Sequence, residues 1–155
     1  MKFAIAYFSE TGTTKQAAER LGQVLKVTPL AIEATVPYTN ADLNWQNDNS
    51  RANREQSGQA TPPTAKPLTL PDFNVLFLGY PTWWGVPPMV IHDFLAHQTL
   101  AGKVVVPFAT SGSSSPERGE AIIKQLLPKS DVKPAKRVNN FSVAQLKAWV
   151  QQLGY

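Results

Sequence analysis

Six consecutive residues, Ser9-Glu10-Thr11-Gly12-Thr13-Thr14, bring four hydroxyl side chains and a glycine together just before an apolar periodic stretch. Amide hydrogens at the start of a helix lack intrahelical partners and sit at the positive end of its dipole, so such a loop can hold a phosphate. The same side chains could equally cap the helix. The P-loop pattern is missing and no G-x-G-x-x-G occurs, which argues against a nucleoside triphosphatase and a dinucleotide-binding domain. Further along, Tyr80-Pro81-Thr82-Trp83-Trp84-Gly85 carries two of the four tryptophans, and Thr110-Ser111-Gly112-Ser113-Ser114-Ser115 is small and polar throughout. Adjacent indoles in a loop can hardly both point inward, so at least one is available to a flat ligand. A loop of small residues lets backbone amides approach a ligand closely. With no cysteine in the chain, thiolate catalysis, iron–sulfur ligation and cysteine zinc sites are excluded, and any redox work needs a borrowed cofactor. His92 and His97 lie five apart with neither a metalloprotease pattern nor a nucleophile elbow near them, so no catalytic or metal-binding side chain is expected.

The elements that must position these loops follow from hydrophobic periodicity. Lys2 to Phe8 is an apolar run of strand length, and the helix from Thr13 repeats Ala17, Leu21, Val24 and Leu25 on one side. Short apolar runs predict further strands at Leu30 to Ile32, Val75 to Gly79 and Lys103 to Ala109, with a weaker fifth at Val132 to Val138. Pro107 and Pro134 each demand a place where an amide hydrogen is not wanted. Helices are predicted over Met89 to Ala96, Glu117 to Leu127 and from Ser142, where Gln145 completes a capping box. This alternation predicts one α/β domain over residues 1–155: a doubly wound, five-stranded parallel sheet with helices on both faces. Between Tyr38 and Leu70 the chain is polar and proline-rich. A short helix near Asp48 to Gln56 is expected there, and the segment is left to cover a site, dock a partner or simply connect. Ligands of such sheets bind beyond the carboxyl ends of the strands, where strand order reverses. The three loops therefore converge on one rim, and a ligand with a phosphate and a flat heteroaromatic ring satisfies all of them.

Charge narrows the partners. Fifteen Lys and Arg against eleven Asp and Glu give +4, which permits an acidic partner. The basic residues of the C-terminal third, including Lys124, Lys129, Lys133, Lys136, Arg137 and Lys147, are scattered and not interleaved with aromatics, so no nucleic-acid role is expected. No apolar run reaches membrane-spanning length, and Phe3 to Phe8 is shorter than a signal peptide's apolar region. A cytoplasmic protein without a membrane partner is expected.

In these motifs, KFAIAYFSETGTTK, FLGYPTWWG and VVVPFATSG in that order, the chain resembles the flavodoxin family, in particular flavodoxin-like proteins with a YPxWWG loop. The resemblance implies a flavodoxin-like sheet of order 2-1-3-4-5 and flavin mononucleotide (FMN) as cofactor. It assigns the phosphate to Ser9, Thr11, Gly12, Thr13 and Thr14, with Glu10 contributing backbone. Pro81, Thr82, Trp83, Trp84 and Gly85 would flank the isoalloxazine ring, and Gly85 is the candidate for a peptide that reorients with flavin redox state. Thr110, Ser111, Gly112 and Ser113 would meet the pyrimidine edge. By this resemblance the function is electron transfer through bound flavin, with redox partner proteins or a small flat electron acceptor as partners. An NAD(P)H-dependent FMN quinone reductase is the alternative, and a flavin-free interaction module the third. The chain departs from the acidic electron carriers of the family in its positive charge, and its fourth-strand loop lacks the tyrosine that stacks on flavin in many of them.

Overall fold

The computed structural model describes residues 1–155. In chain order the elements are β1 (Phe3–Tyr7), α1 (Thr13–Leu25), β2 (Leu30–Ala31), α2 (Arg51–Gln56), β3 (Val75–Pro81), α3 (Met89–Ala96), β4 (Val104–Thr110), α4 (Glu117–Leu126), β5 (Asp131–Val132), β6 (Lys136–Arg137) and α5 (Val143–Gln152). All strand pairings are parallel, in the order β2-β1-β3-β4-β5, and β6 also pairs with β4. No helix is long and apolar enough to cross a membrane.

The expected fifth strand is thus two short ones, and Pro134 is the reason. Val105 and Ala109 of β4 accept from Lys133 and Val138, so by alternation Pro107 faces the same side. There the partner strand is interrupted around Pro134, and the Ala135 amide turns away to Glu120 Oε1 at 2.7 Å. A proline that cannot donate therefore lies opposite a gap that offers no acceptor in register.

Alternation along β1 divides the core. Ala4, Ala6 and Phe8 join Val90, Phe94 and Ile123 on the face covered by α3 and α4. Ile5 and Tyr7 join Ala17, Leu21, Leu146 and Trp149 on the face covered by α1 and α5. The strands are apolar almost throughout because both faces are buried. Helix α5 begins with the expected box: Ser142 Oγ accepts from the Gln145 amide at 3.1 Å, and Gln145 Oε1 accepts from the Ser142 amide at 2.8 Å.

Two neighbours in β3 make opposite demands. A Cβ at Gly79 would overlap the ring of Phe108, which is 1% exposed and has nowhere to move. Tyr80 has a buried hydroxyl with no hydrogen-bond partner; burial pushes its pKa far up. Gly79→Ala is expected to cost about 1–3 kcal/mol through overpacking. Tyr80→Phe removes an unsatisfied group and is expected to leave stability unchanged or raise it by about 1 kcal/mol. Urea unfolding of the two variants checks both signs.

Candidate functional site

A cleft of about 570 Å³ opens at the carboxyl ends of the strands, against β1 and β3. Its size lies within the usual range for small-molecule sites, about 300–1,000 Å³. The loop after β1 enters it with Ser9, Glu10 and Thr11, and Thr14 follows from the first turn of α1. Gly12 is the residue before the helix and sits at φ 94°, ψ −12°, a conformation that favours glycine. The alternative, that these Ser and Thr side chains cap the helix, is not what the structure shows: no side chain caps α1. Instead Ser9 Oγ accepts from the Gly12 amide at 3.2 Å, within the loop. The first helix-backbone bond runs from Gln16 to the Gly12 carbonyl, so the amides of Thr13, Thr14 and Lys15 remain open at the positive end of the dipole. No Lys or Arg side chain lines the cleft, and Glu10 does; its carboxyl pKa is raised, chiefly by partial burial, with Glu33 adding to this and Arg51 opposing it. An anion here would be held by neutral donors and the helix dipole.

The loop after β3 supplies the aromatic walls. Trp83 and Val86 exchange backbone hydrogen bonds of 2.9 and 3.2 Å, closing a tight turn whose central residues Trp84 and Gly85 both have positive φ, 57° and 78°. Trp84 holds that conformation without being glycine, a strained arrangement costing on the order of 1 kcal/mol. The turn splits the adjacent indoles. Trp83 is half-buried and packs edge-on against Phe8 and Tyr38, with centroids 5.8 and 5.5 Å apart, whereas Trp84 is 53% exposed. Pro81 and Thr82 complete this wall.

The third loop is held from below. Thr110 Oγ1 and Thr14 Oγ1 share a buried 2.7 Å hydrogen bond, and the Thr82 amide donates to the Thr110 carbonyl at 2.7 Å, tying all three loops together. Arg137 of β6 donates to Ser111 Oγ at 2.9 Å and to the Ser111 and Gly112 carbonyls at 2.8 and 3.1 Å. Asn139 Oδ1 accepts from the Ser111 amide at 2.9 Å, and Ser111 Oγ donates to the Ser114 carbonyl at 2.7 Å. Gly112, Ser113 and Ser114 then face the cleft.

Of the expected site residues, the cleft brings together Ser9, Glu10, Thr11, Thr14, Pro81, Thr82, Trp83, Trp84, Gly112 and Ser113. Gly12, Thr13, Gly85, Thr110 and Ser111 are not part of this lining: Gly12 and Gly85 shape turns, Thr110 and Ser111 join the loops, and Thr13 is exposed at the start of α1. Neither histidine lines it; His97 Nδ1 lies 2.7 Å from the Asp93 carbonyl on α3.

Sequence reasoning missed the fourth wall. Leu43, Trp45, Ala52, Asn53 and Gln56, all from the segment after β2, line the cleft. A tryptophan in an otherwise polar stretch was the available signal. A buried cluster pins this segment: Tyr38 Oη donates to Glu55 Oε1, Arg51 Nε donates to Glu55 Oε2 at 3.0 Å, and the Arg51 guanidinium lies 3.8 Å from the Tyr38 ring centre. Burial, then the bond to Glu55, holds the Tyr38 hydroxyl far above its ordinary pKa. Gln56 bridges α2 to the aromatic loop, donating to the Trp83 and Pro87 carbonyls at 3.3 and 3.2 Å and accepting from the Met89 amide at 2.8 Å.

A doubly wound α/β protein with a ligand cleft at its strand-order switch point is thereby defined. The flavodoxin family model matches residues 2–153; the chain belongs to the flavodoxin family. A structure described as a candidate flavoprotein from Bacteroides eggerthii DSM 20697 is 36% identical, with a TM-score of 0.92 over 99% of this chain and 98% of that one. A second, from Bacteroides uniformis ATCC 8492, is 34% identical with a TM-score of 0.90 over 97% of each chain. A flavoprotein from Lactobacillus acidophilus NCFM, solved in complex with FMN, shares the fold at 20% identity and a TM-score of 0.71, over 96% of this chain and 98% of that one. No curated protein matches the chain.

Replacing Glu55 by Gln leaves Arg51 and the Tyr38 hydroxyl facing an uncharged amide with one acceptor. The expected cost is about 1–3 kcal/mol, concentrated in the segment and discounted for the partial exposure of Arg51. Amide hydrogen exchange should accelerate over residues 38–56 while β1, β3 and β4 stay protected; unchanged exchange in the segment would remove the cluster's anchoring role.

Proposed function

We propose that this protein binds FMN in the cleft and passes electrons between redox partners through the bound flavin. The observation that carries the reading is the uncapped start of α1 opening into the same cleft as the indole walls: a place for a phosphate and a place for a flat ring in one cavity. FMN fits this donor set. The open amides of Thr13, Thr14 and Lys15 and the hydroxyl of Thr11 would receive the phosphate, and Trp83 and Trp84 would flank the ring. Gly112 and Ser113 would offer backbone donors at its polar edge. When bound, FMN supplies one- and two-electron transfer at its isoalloxazine ring.

The chain's own contribution is positioning and environment. Trp83, locked between Phe8 and Tyr38, gives the ring a wall that does not rearrange. Indole walls in a partly closed cleft disfavour additional negative charge on the ring, and the Glu10 carboxylate acts in the same direction. The +4 charge favours a partner with an acidic docking face, because steering accelerates encounter between opposite charges.

The test is a titration of the apoprotein with FMN, following flavin and tryptophan fluorescence, then anaerobic addition of NADPH. Saturable mutual quenching at one FMN per chain, with no bleaching by NADPH, is the expected result. Rapid bleaching would favour an NAD(P)H-dependent FMN reductase, and no quenching would remove FMN altogether.

A further inference from the structure

We infer that Trp45 is a ligand-binding residue of this cleft, an indole brought in from outside the three strand-end loops to pack on the flat ring of the ligand. The inference rests on the FMN reading above. Trp45 is 72% exposed and is set among Asn44, Gln46, Asn47, Asp48 and Asn49, yet it lines the same cleft as Trp83 and Trp84. An indole left in water forgoes a large apolar burial that a covering surface would recover.

Its placement is built. Asn53, 3% exposed, donates its side-chain amide to the carbonyl of Trp45 at 2.9 Å and to that of Asn47 at 2.8 Å. A buried side chain thus uses both its hydrogens to fix the turn that presents the indole. The Asn47 amide bonds the Asn44 carbonyl at 3.1 Å, and the Ala52 amide bonds the Asp42 carbonyl at 2.9 Å. The cluster of Tyr38, Arg51 and Glu55 anchors the base of the same segment. With the backbone of the turn held this way, ordering the indole on a ligand costs only side-chain freedom and not that of the loop. The anion-holding end of the cleft is made by the start of α1, which leaves the indoles to meet the ring.

Three probes separate the possibilities: FMN, riboflavin, which is the same ring without the phosphate, and the melting temperature of each variant. Trp45→Ala is expected to weaken both flavins by a similar factor, about tenfold, the scale of one lost aromatic stacking contact. Trp45→Phe should recover most of that affinity, and neither change should move the melting temperature, because the side chain leaves no core. Thr11→Ala should weaken FMN and leave riboflavin unchanged. If wild type binds FMN and Trp45→Ala binds both flavins as tightly as wild type, the role of Trp45 is overturned while the FMN reading stands. If Trp45→Ala loses FMN affinity alone, contact with the ring is overturned. A wild-type protein that binds neither flavin overturns the FMN reading, and this inference with it.

Discussion

Everything at the candidate site depends on the two neighbours of β1. The chain leaves β1 through α1 to reach β2 on one side, and β3 pairs on the other. Right-handed crossovers send the helices after these strands to opposite faces of the sheet: α1 packs with α5, and α3 with α4. A crevice must open between the loops as they part. The sheet holds this geometry firmly because β1, β3 and β4 are buried on both faces, with Leu76, Phe77, Leu78, Val105 and Val106 fully enclosed.

What the sheet opens, buried polar contacts then shape. The shared hydrogen bond of Thr14 and Thr110 joins the first and third loops below the cleft, and its burial makes separation costly because both hydroxyls would be left unpaired. Arg137 organises the third loop by binding the adjacent carbonyls of Ser111 and Gly112 where it begins, so a basic residue that looks like surface charge in the sequence acts as a scaffold. Tyr38, Arg51 and Glu55 do the same for the polar segment, whose low aliphatic content could not hold it in place alone.

The site is also electrostatically unusual for a basic chain. The net charge is positive, yet the cleft lining carries Glu10 and no cation. Oriented backbone amides therefore supply the positive potential for an anion, and they do so without a side chain that could also recruit other anionic groups by charge alone. The two sources of positive potential are therefore separate: one is the lysines and arginines elsewhere on the chain, the other the open amides at the start of α1.

The sequence by itself determined the alternation of strands and helices, the capping box of α5 and the three loops on one rim, because periodicity and turn chemistry act over a few residues; the single fifth strand it suggested is split in two around Pro134. That Trp83 packs inward while Trp84 stands exposed could not be read there: identical side chains are separated only by the Trp84-Gly85 turn and by the distant partners Phe8 and Tyr38. Nor could the fourth wall. Trp45 reaches the cleft because Asn53, Glu55 and Gln56 fix its segment against residues far along the chain, and pairings between distant polar groups leave no periodic trace. The same holds for the threonines of the first and third loops, which resemble ligand donors in the sequence. Two of them are partners of each other in the fold, since only tertiary structure decides whether a hydroxyl faces a ligand or another hydroxyl.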